Sequence, residues 1–138
     1  GDVEAPAMSH LEIHKSIDMR MVQGVEVFTE GKTTGTGEFI AWLAHKDGAA
    51  PGPIDLLMFA DMMPPPIFTL YGAYGWVPTV ELTVQVRRKP APGSLLARHI
   101  TRQVTRGVAE TDTEIWDVNG DLAAMARQTH KVRMPKTD

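Results

Sequence analysis

Proline brackets one apolar stretch of this chain, and that stretch is the one window that reads as a core helix. Ile54-Asp55-Leu56-Leu57-Met58-Phe59-Ala60-Asp61-Met62-Met63 follows Pro51 and Pro53 and precedes Pro64, Pro65 and Pro66. Ile54, Leu57, Met58 and Asp61 fall at i, i+3, i+4 and i+7, the spacing that lines one face of a helix. The pattern therefore predicts a buried stripe that contains a carboxylate. Burying an Asp is costly unless something satisfies it. Two readings of Asp61 stand at this point. It turns outward or caps a neighbouring backbone near the helix end, or it sits in a partly desolvated cleft for proton chemistry.

The rest of the chain reads as strands. From His10 to Met21, Leu11, Ile13, Ile17, Met19 and Met21 share one face, with Glu12, His14, Ser16, Asp18 and Arg20 on the other. That period of two predicts a strand with one buried side. Gly24 to Lys32 is a short apolar excursion ending in a turn. Thr33 to His45 is a second strand candidate, closed by Lys46-Asp47-Gly48. After the helix, Pro64 to Gly75 is a connector rich in proline, glycine and aromatic residues. Val80, Leu82, Val84 and Val86 then alternate with polar residues. Ser94–Arg106, Val108–Val118 and Asp121–Arg133 follow as further strands; Asn119-Gly120 predicts a two-residue hairpin. Two strands, a helix and four strands fit an α+β antiparallel sheet wrapped around one central helix, about Ile54–Met63.

At 138 residues the chain is expected to be one domain spanning 10–134, with a leader or linker at 1–9 and a tail at 135–138. Its 14 Lys and Arg against 17 Asp and Glu give a net charge of −3. That balance argues against general nucleic-acid or polybasic membrane binding. The absence of cysteine removes disulfides, thiolate ligands and a cysteine nucleophile, and suits a cytoplasmic setting. No apolar run approaches the roughly 18 residues of a membrane span, and no signal-peptide core is evident. His10-Leu11-Glu12-Ile13-His14 is not a zinc motif. Leu11 stands where Glu is needed, and four strand residues span about 13 Å, too far for one metal. No hydrolase elbow surrounds Ser9, Ser16 or Ser94; neither a phosphate loop nor a dinucleotide fingerprint is present. No metal or other cofactor is expected.

What remains are hydrogen-bonding residues on apolar faces. Leu122, Ala124, Ala126, Gln128, His130 and Val132 share one side of the last strand, so Gln128 continues a row on which a helix could rest. It is either a satisfied core glutamine or part of a site. Thr79 sits where the connector becomes a strand, behind Pro78.

Several segments, in order and spacing, resemble a known family. They are Leu56-Leu57-Met58-Phe59-Ala60-Asp61, Trp76-Val77-Pro78-Thr79-Val80-Glu81-Leu82-Thr83-Val84 and Arg87-Arg88-Lys89-Pro90-Ala91-Pro92-Gly93. Glu114-Ile115-Trp116-Asp117 and Ala124-Met125-Ala126-Arg127-Gln128 complete the set. From about His10 to Arg133 the chain is similar to the C-terminal half of the acyl-CoA thioesterase II family, in the thioesterase-like hotdog superfamily. The resemblance implies a hotdog fold and hydrolysis of acyl-CoA, with Asp61, Thr79 and Gln128 holding the attacking water. Family members carry two hotdog units in one chain, so a second unit is implied, whether missing, on another chain or replaced by self-association. Thr79 and Gln128 cannot titrate near neutrality and would orient the water for Asp61 as base. Oxyanion donors would come from backbone N–H groups near the helix start or the Gly72–Gly75 connector. The leaving thiol, with a pKa of about 8.5, does not demand a strong acid.

Arg87 and Arg88, beside Lys89, are candidate contacts for CoA phosphates; Tyr74 and Trp76 are candidate substrate-binding residues of the connector. A solvated strand face explains the basic cluster equally well. Two other functions compete: a non-catalytic acyl-CoA or acyl-chain binding unit or assembly half, and a hydratase. The latter would need His paired with Asp or Glu beside the helix, and no His lies between His45 and His99.

Overall fold

The computed structural model describes residues 16–72 and 77–132. The segment 1–15 with the His10/His14 pair, Tyr74 and Trp76, and the tail 135–138 lie outside the described residues. Helix α2 spans Pro53–Met62. Pro53 at its first position is pre-set for helical φ and lacks the N–H that would go unpaired. Asp55 reaches back to accept from the Gly52 N–H at 2.7 Å, and its other oxygen meets His45 Nε2 at 3.1 Å. Met63 is extended (φ −77°, ψ 152°) because the following Pro64 disfavours helical backbone there.

The predicted buried stripe is corrected. Leu56, Phe59, Ala60 and Met62 are the residues that α2 buries, whereas Ile54 is 80% and Leu57 47% exposed, with Asp61 exposed beside them. The helix is apolar on both sides, so two stripes share the same spacing. The one that carries no charge and includes small Ala60 lies against the sheet; the one with Asp61 faces away. Met58 is half-buried against the core.

The strands are β1 (Ile17–Gln23), β2 (Glu38–His45), β3 (Thr79–Val86), β4 (Leu95–Ile100), β5 (Val104–Thr105), β6 (Val108–Trp116) and β7 (Leu122–Lys131). They form one antiparallel sheet in the order β1-β2-β4-β6-β7-β3, with β5 paired to β6. Helical turns α1 (Glu26–Thr29) and α3 (Phe68–Tyr71) occupy stretches read as an apolar excursion and as connector. The sheet packs on α2 through Met19, Phe39, Leu43, Leu95, Ala97, Ile115 and Ala124.

Two predicted strands break where their alternation suggested they would continue, and one predicted hairpin has a different loop. The second begins only at Glu38, because Gly37 adopts φ +66° and a Cβ there would come 2.3 Å from the Thr101 carbonyl oxygen. The strand expected over Ser94–Arg106 breaks after Ile100 and resumes as β5, turned into β6 by Arg106 (φ 51°) and Gly107 (φ 75°). The Asn119-Gly120 hairpin has a three-residue loop instead of two. Asp117 N–H bonds the Asp121 carbonyl, and Gly120 takes φ +80° as the left-handed residue of such a loop. The Asp117 carboxylate accepts from the Ala91, Asn119 and Asp121 N–H groups, which holds it below the usual carboxylate range. Among the described residues no helix is long and apolar enough to cross a membrane.

Candidate active site

Alternation along β4, β6 and β7 aims every second side chain at α2, and the register decides which ones meet. Ala97 lies opposite Ile115, and Ile115 opposite Ala124, an apolar row. Two residues along, His99 lies opposite Thr113, and beyond it Thr111 opposite Gln128. The inner face thus turns polar toward the C-terminal end of α2. His99, Thr101, Thr111, Thr113, Gln128 and His130 are all buried there.

Gln128 ties this row to the helix. Its Nε2 donates to the Ala60 carbonyl at 2.9 Å, and its Oε1 accepts from the Thr79 hydroxyl at 3.0 Å. A carbonyl can only accept, which fixes the orientation of the amide. One N–H and one lone pair of Gln128, and the lone pairs of Thr79, stay available for a further partner. Asp61, next to Ala60, lines the same cavity of ≈ 170 Å³ as Thr79, Gln128, His99, Thr111 and His130. Met63, the Pro64–Pro66 run and Val77 complete its lining. No hydrogen bond joins Asp61 to Thr79 or Gln128; the shared cavity is what brings the three together. Part of the Asp61 side chain is exposed on the outward helix face, and partial burial of the rest raises its carboxyl above the ordinary 3.8. A raised carboxylate is a stronger base than a free one.

Sequence patterning placed His130 in the row of Gln128 but gave it no role, and missed His99, Thr111 and Thr113 altogether. Thr113 Oγ1 lies 3.1 Å from His99 Nδ1, and Thr111 Oγ1 lies 2.9 Å from His130 Nε2. Thr111 also meets Thr101 at 3.3 Å. Burial, with His130 nearby, pushes His99 down to about 3; burial also lowers His130. Both rings are neutral near pH 7. His99 Nε2 and His130 Nδ1 are buried with no hydrogen-bond partner among the described residues. Leaving a buried polar atom unpaired costs about 1–3 kcal/mol. The period-two signal that puts β4 and β6 residues on the inner face does not say which rows coincide, so these residues had no visible link to Asp61.

The other candidates lie elsewhere. Arg87 and Arg88 follow the end of β3 opposite to Thr79, roughly 25 Å along the strand. Arg88 pairs with Asp121 at 3.2 Å. Arg98 engages Glu38 and Glu114, and Arg102 engages Asp112, on the outer face of the sheet. Arg127 pairs with the same Asp112, and these two arginines hold its carboxyl below the usual range. Among the described residues no group of three or more His, Asp and Glu side chains is arranged to hold a metal ion.

Residues 2–132 match the family of acyl-CoA thioesterase C-terminal domains. Among solved structures, a candidate thioesterase II from Thermobifida fusca is 30% identical with a TM-score of 0.71, over 86% of this chain and 46% of that one. A candidate thioesterase from Novosphingobium aromaticivorans is 27% identical with a TM-score of 0.71, over 87% and 44%. A hotdog-fold protein of unknown function from Alicyclobacillus acidocaldarius is 17% identical with a TM-score of 0.79, over 99% and 55%, a likeness of fold alone. The seven-stranded antiparallel sheet on α2 is this hotdog fold. The chain spans about half the length of these three structures. A comparison with curated proteins gives no match.

Proposed function

The chain belongs to the family of acyl-CoA thioesterase C-terminal domains, and from that premise we propose that it hydrolyses an acyl-CoA thioester to the free acid and CoA. The observation that carries this reading is the Thr79–Gln128–Ala60 hydrogen-bonded chain beside Asp61 in one cavity. Asp61 accepts a proton from water as its oxygen attacks the thioester carbonyl carbon. Thr79 and the free N–H of Gln128 orient that water, converting an encounter into a fixed geometry. The tetrahedral oxyanion collapses, the carbon–sulfur bond breaks and the CoA thiolate leaves. The proton held by Asp61 returns to solvent or to the thiolate.

The same reading assigns a second hotdog unit to the outward face of α2. Ile54 and Leu57 on that face, with Val80 on the β3 edge at 61%, leave apolar surface and unpaired backbone uncovered. A hydratase would need a histidine paired with a carboxylate. The His45–Asp55 pair at the start of α2 is not among the residues that line the cavity of Asp61, Thr79 and Gln128; each cavity histidine bonds a threonine, and His99, held down to about 3, is a poor base.

Release of CoA thiol from a panel of acyl-CoAs tests the proposal in the full-length protein. Asp61→Asn is expected to lower kcat by about 10²- to 10⁴-fold, the range for a lost general base. Gln128→Ala should lower it too. A protein that binds acyl-CoA but releases no thiol above background is a binding unit instead.

A further inference from the structure

An antiparallel sheet with one solvated side carries polar residues at its outward positions. The outer face of this sheet departs from that rule in one row. Ala41, Leu43, Leu95, Ala97 and Ile115 are buried on the inner side, so Trp42, Leu96 and Trp116 beside them point outward. Register sets these three opposite one another, Trp42 to Leu96 and Leu96 to Trp116. Two of the chain's three tryptophans therefore stand on the side of the sheet away from α2. Trp42 is 38% exposed, and Leu96 and Trp116 are half-buried. The charges around the row are paired within the face. Asp18 holds Arg20, Glu38 and Glu114 hold Arg98, and Asp112 holds Arg102 and Arg127. Four carboxylates thus meet four guanidiniums, a net of zero on a chain whose net charge is −3. All four cations are arginine. Tryptophan and arginine are enriched at protein interfaces, whereas lysine is depleted there.

We propose that this outer face is an interaction surface for a second copy of the chain, the two sheets stacked back to back about a two-fold axis through Leu96. The proposal is independent of the thioesterase reading and of the unit assigned to α2. A two-fold contact is self-complementary, each residue i on j being matched by j on i. The row meets that condition, because it reads Trp, Leu, Trp from either end. An axis along β4 sets Trp42 of each copy over Trp116 of the other, lays Leu96 on Leu96 and keeps the strands of the two sheets aligned, as in packed sheets. Beside Trp42 a cavity of ≈ 370 Å³, lined by Asp18, Arg20, Ala44 and Ser94, offers a recess for the incoming indole. Arg98 also meets its own copy across the axis, but each brings the carboxylates of Glu38 and Glu114 with it. A face with no net charge does not oppose stacking on itself. Five strands about 4.8 Å apart and about six residues long present roughly 500 Å² in projection on each copy. The pair then buries about 1,000 Å², the low end for a specific interface, so association should depend on concentration.

Sedimentation of the full-length protein from about 1 to 100 μM tests this, the range in which a small interface dissociates. Trp42→Glu and Trp116→Glu are each expected to halve the largest mass reached, with far-UV circular dichroism unchanged. Should Trp116→Glu fail to fold, Trp42→Glu, at the more exposed position, decides. The chain has no cysteine, so Leu96→Cys places a single thiol on the axis, where a short bis-maleimide should join two copies. A mass of one chain at every concentration overturns the proposal. So does an assembly that Leu57→Glu on α2 dissociates and both tryptophan variants leave intact. A mass halved by Trp42→Glu without any cross-link between two copies of Leu96→Cys puts a different occupant on the face, and overturns it too.

Discussion

The inner face of the sheet divides into two regions that are equally buried and chemically opposite. Under the middle of α2, Leu43, Ala97, Ile115 and Ala124 are fully covered, and Leu56, Phe59 and Ala60 of the helix cover them. Toward the helix C-terminus, the same strands present His99, Thr111, Thr113, Gln128 and His130, no less buried. Burial alone therefore does not separate framework from site. The difference lies in what burial returns: apolar surface removed from water stabilises by about 25 cal/mol per Å², while polar groups at best exchange one hydrogen-bond partner for another. The apolar half holds the fold together. The polar half uses that stability to keep hydrogen-bonding groups dry and oriented.

Substitutions in the two halves should fail in different ways. Phe59→Ala opens a cavity in the apolar half and is expected to lower stability by about 3–5 kcal/mol, read as the urea midpoint, with little change in kcat per folded molecule. Acid separates the halves next. Unfolded, His99 takes its proton near 6.5; folded, it refuses it until about 3. Across that window the unfolded state binds more protons, so stability falls as pH falls from about 6.5 toward 3. Urea midpoints measured at pH 7 and 5 should show this, and His99→Gln should flatten the slope, whereas Phe59→Ala should not. Thr113→Val is expected to cost less than Phe59→Ala, about 1–3 kcal/mol, because it keeps the strand-favouring shape but leaves the buried His99 Nδ1 without its partner. A larger loss than that of Phe59→Ala would undo the division.

The apolar half was largely legible in the sequence and the polar half only in pieces. Alternation in Val80–Val86 and Leu122–Val132 located β3 and β7, and the prolines bounded α2 to within a residue. Periodicity could not choose the buried face of α2, because Leu56, Phe59 and Ala60 and Ile54, Leu57 and Met58 are both apolar at helical spacing. The choice is made by Asp61, which stays at the surface when the other face packs. The pairing of Thr79 with Gln128 joins residues 49 apart, and strand register, which sets it, is not written in either segment. Resemblance to a family named Asp61, Thr79 and Gln128 together; nothing comparable pointed to His99 or Thr111.

The pH dependence of thiol release tests the base role of Asp61 most directly. With Asp61 ionised as the acting base, kcat should rise with pH through one inflection above the ordinary carboxylate value of 3.8, and that inflection should vanish in the residual activity of Asp61→Asn. An unchanged inflection in the variant, or a rate that ignores pH across the carboxylate range, would contradict it.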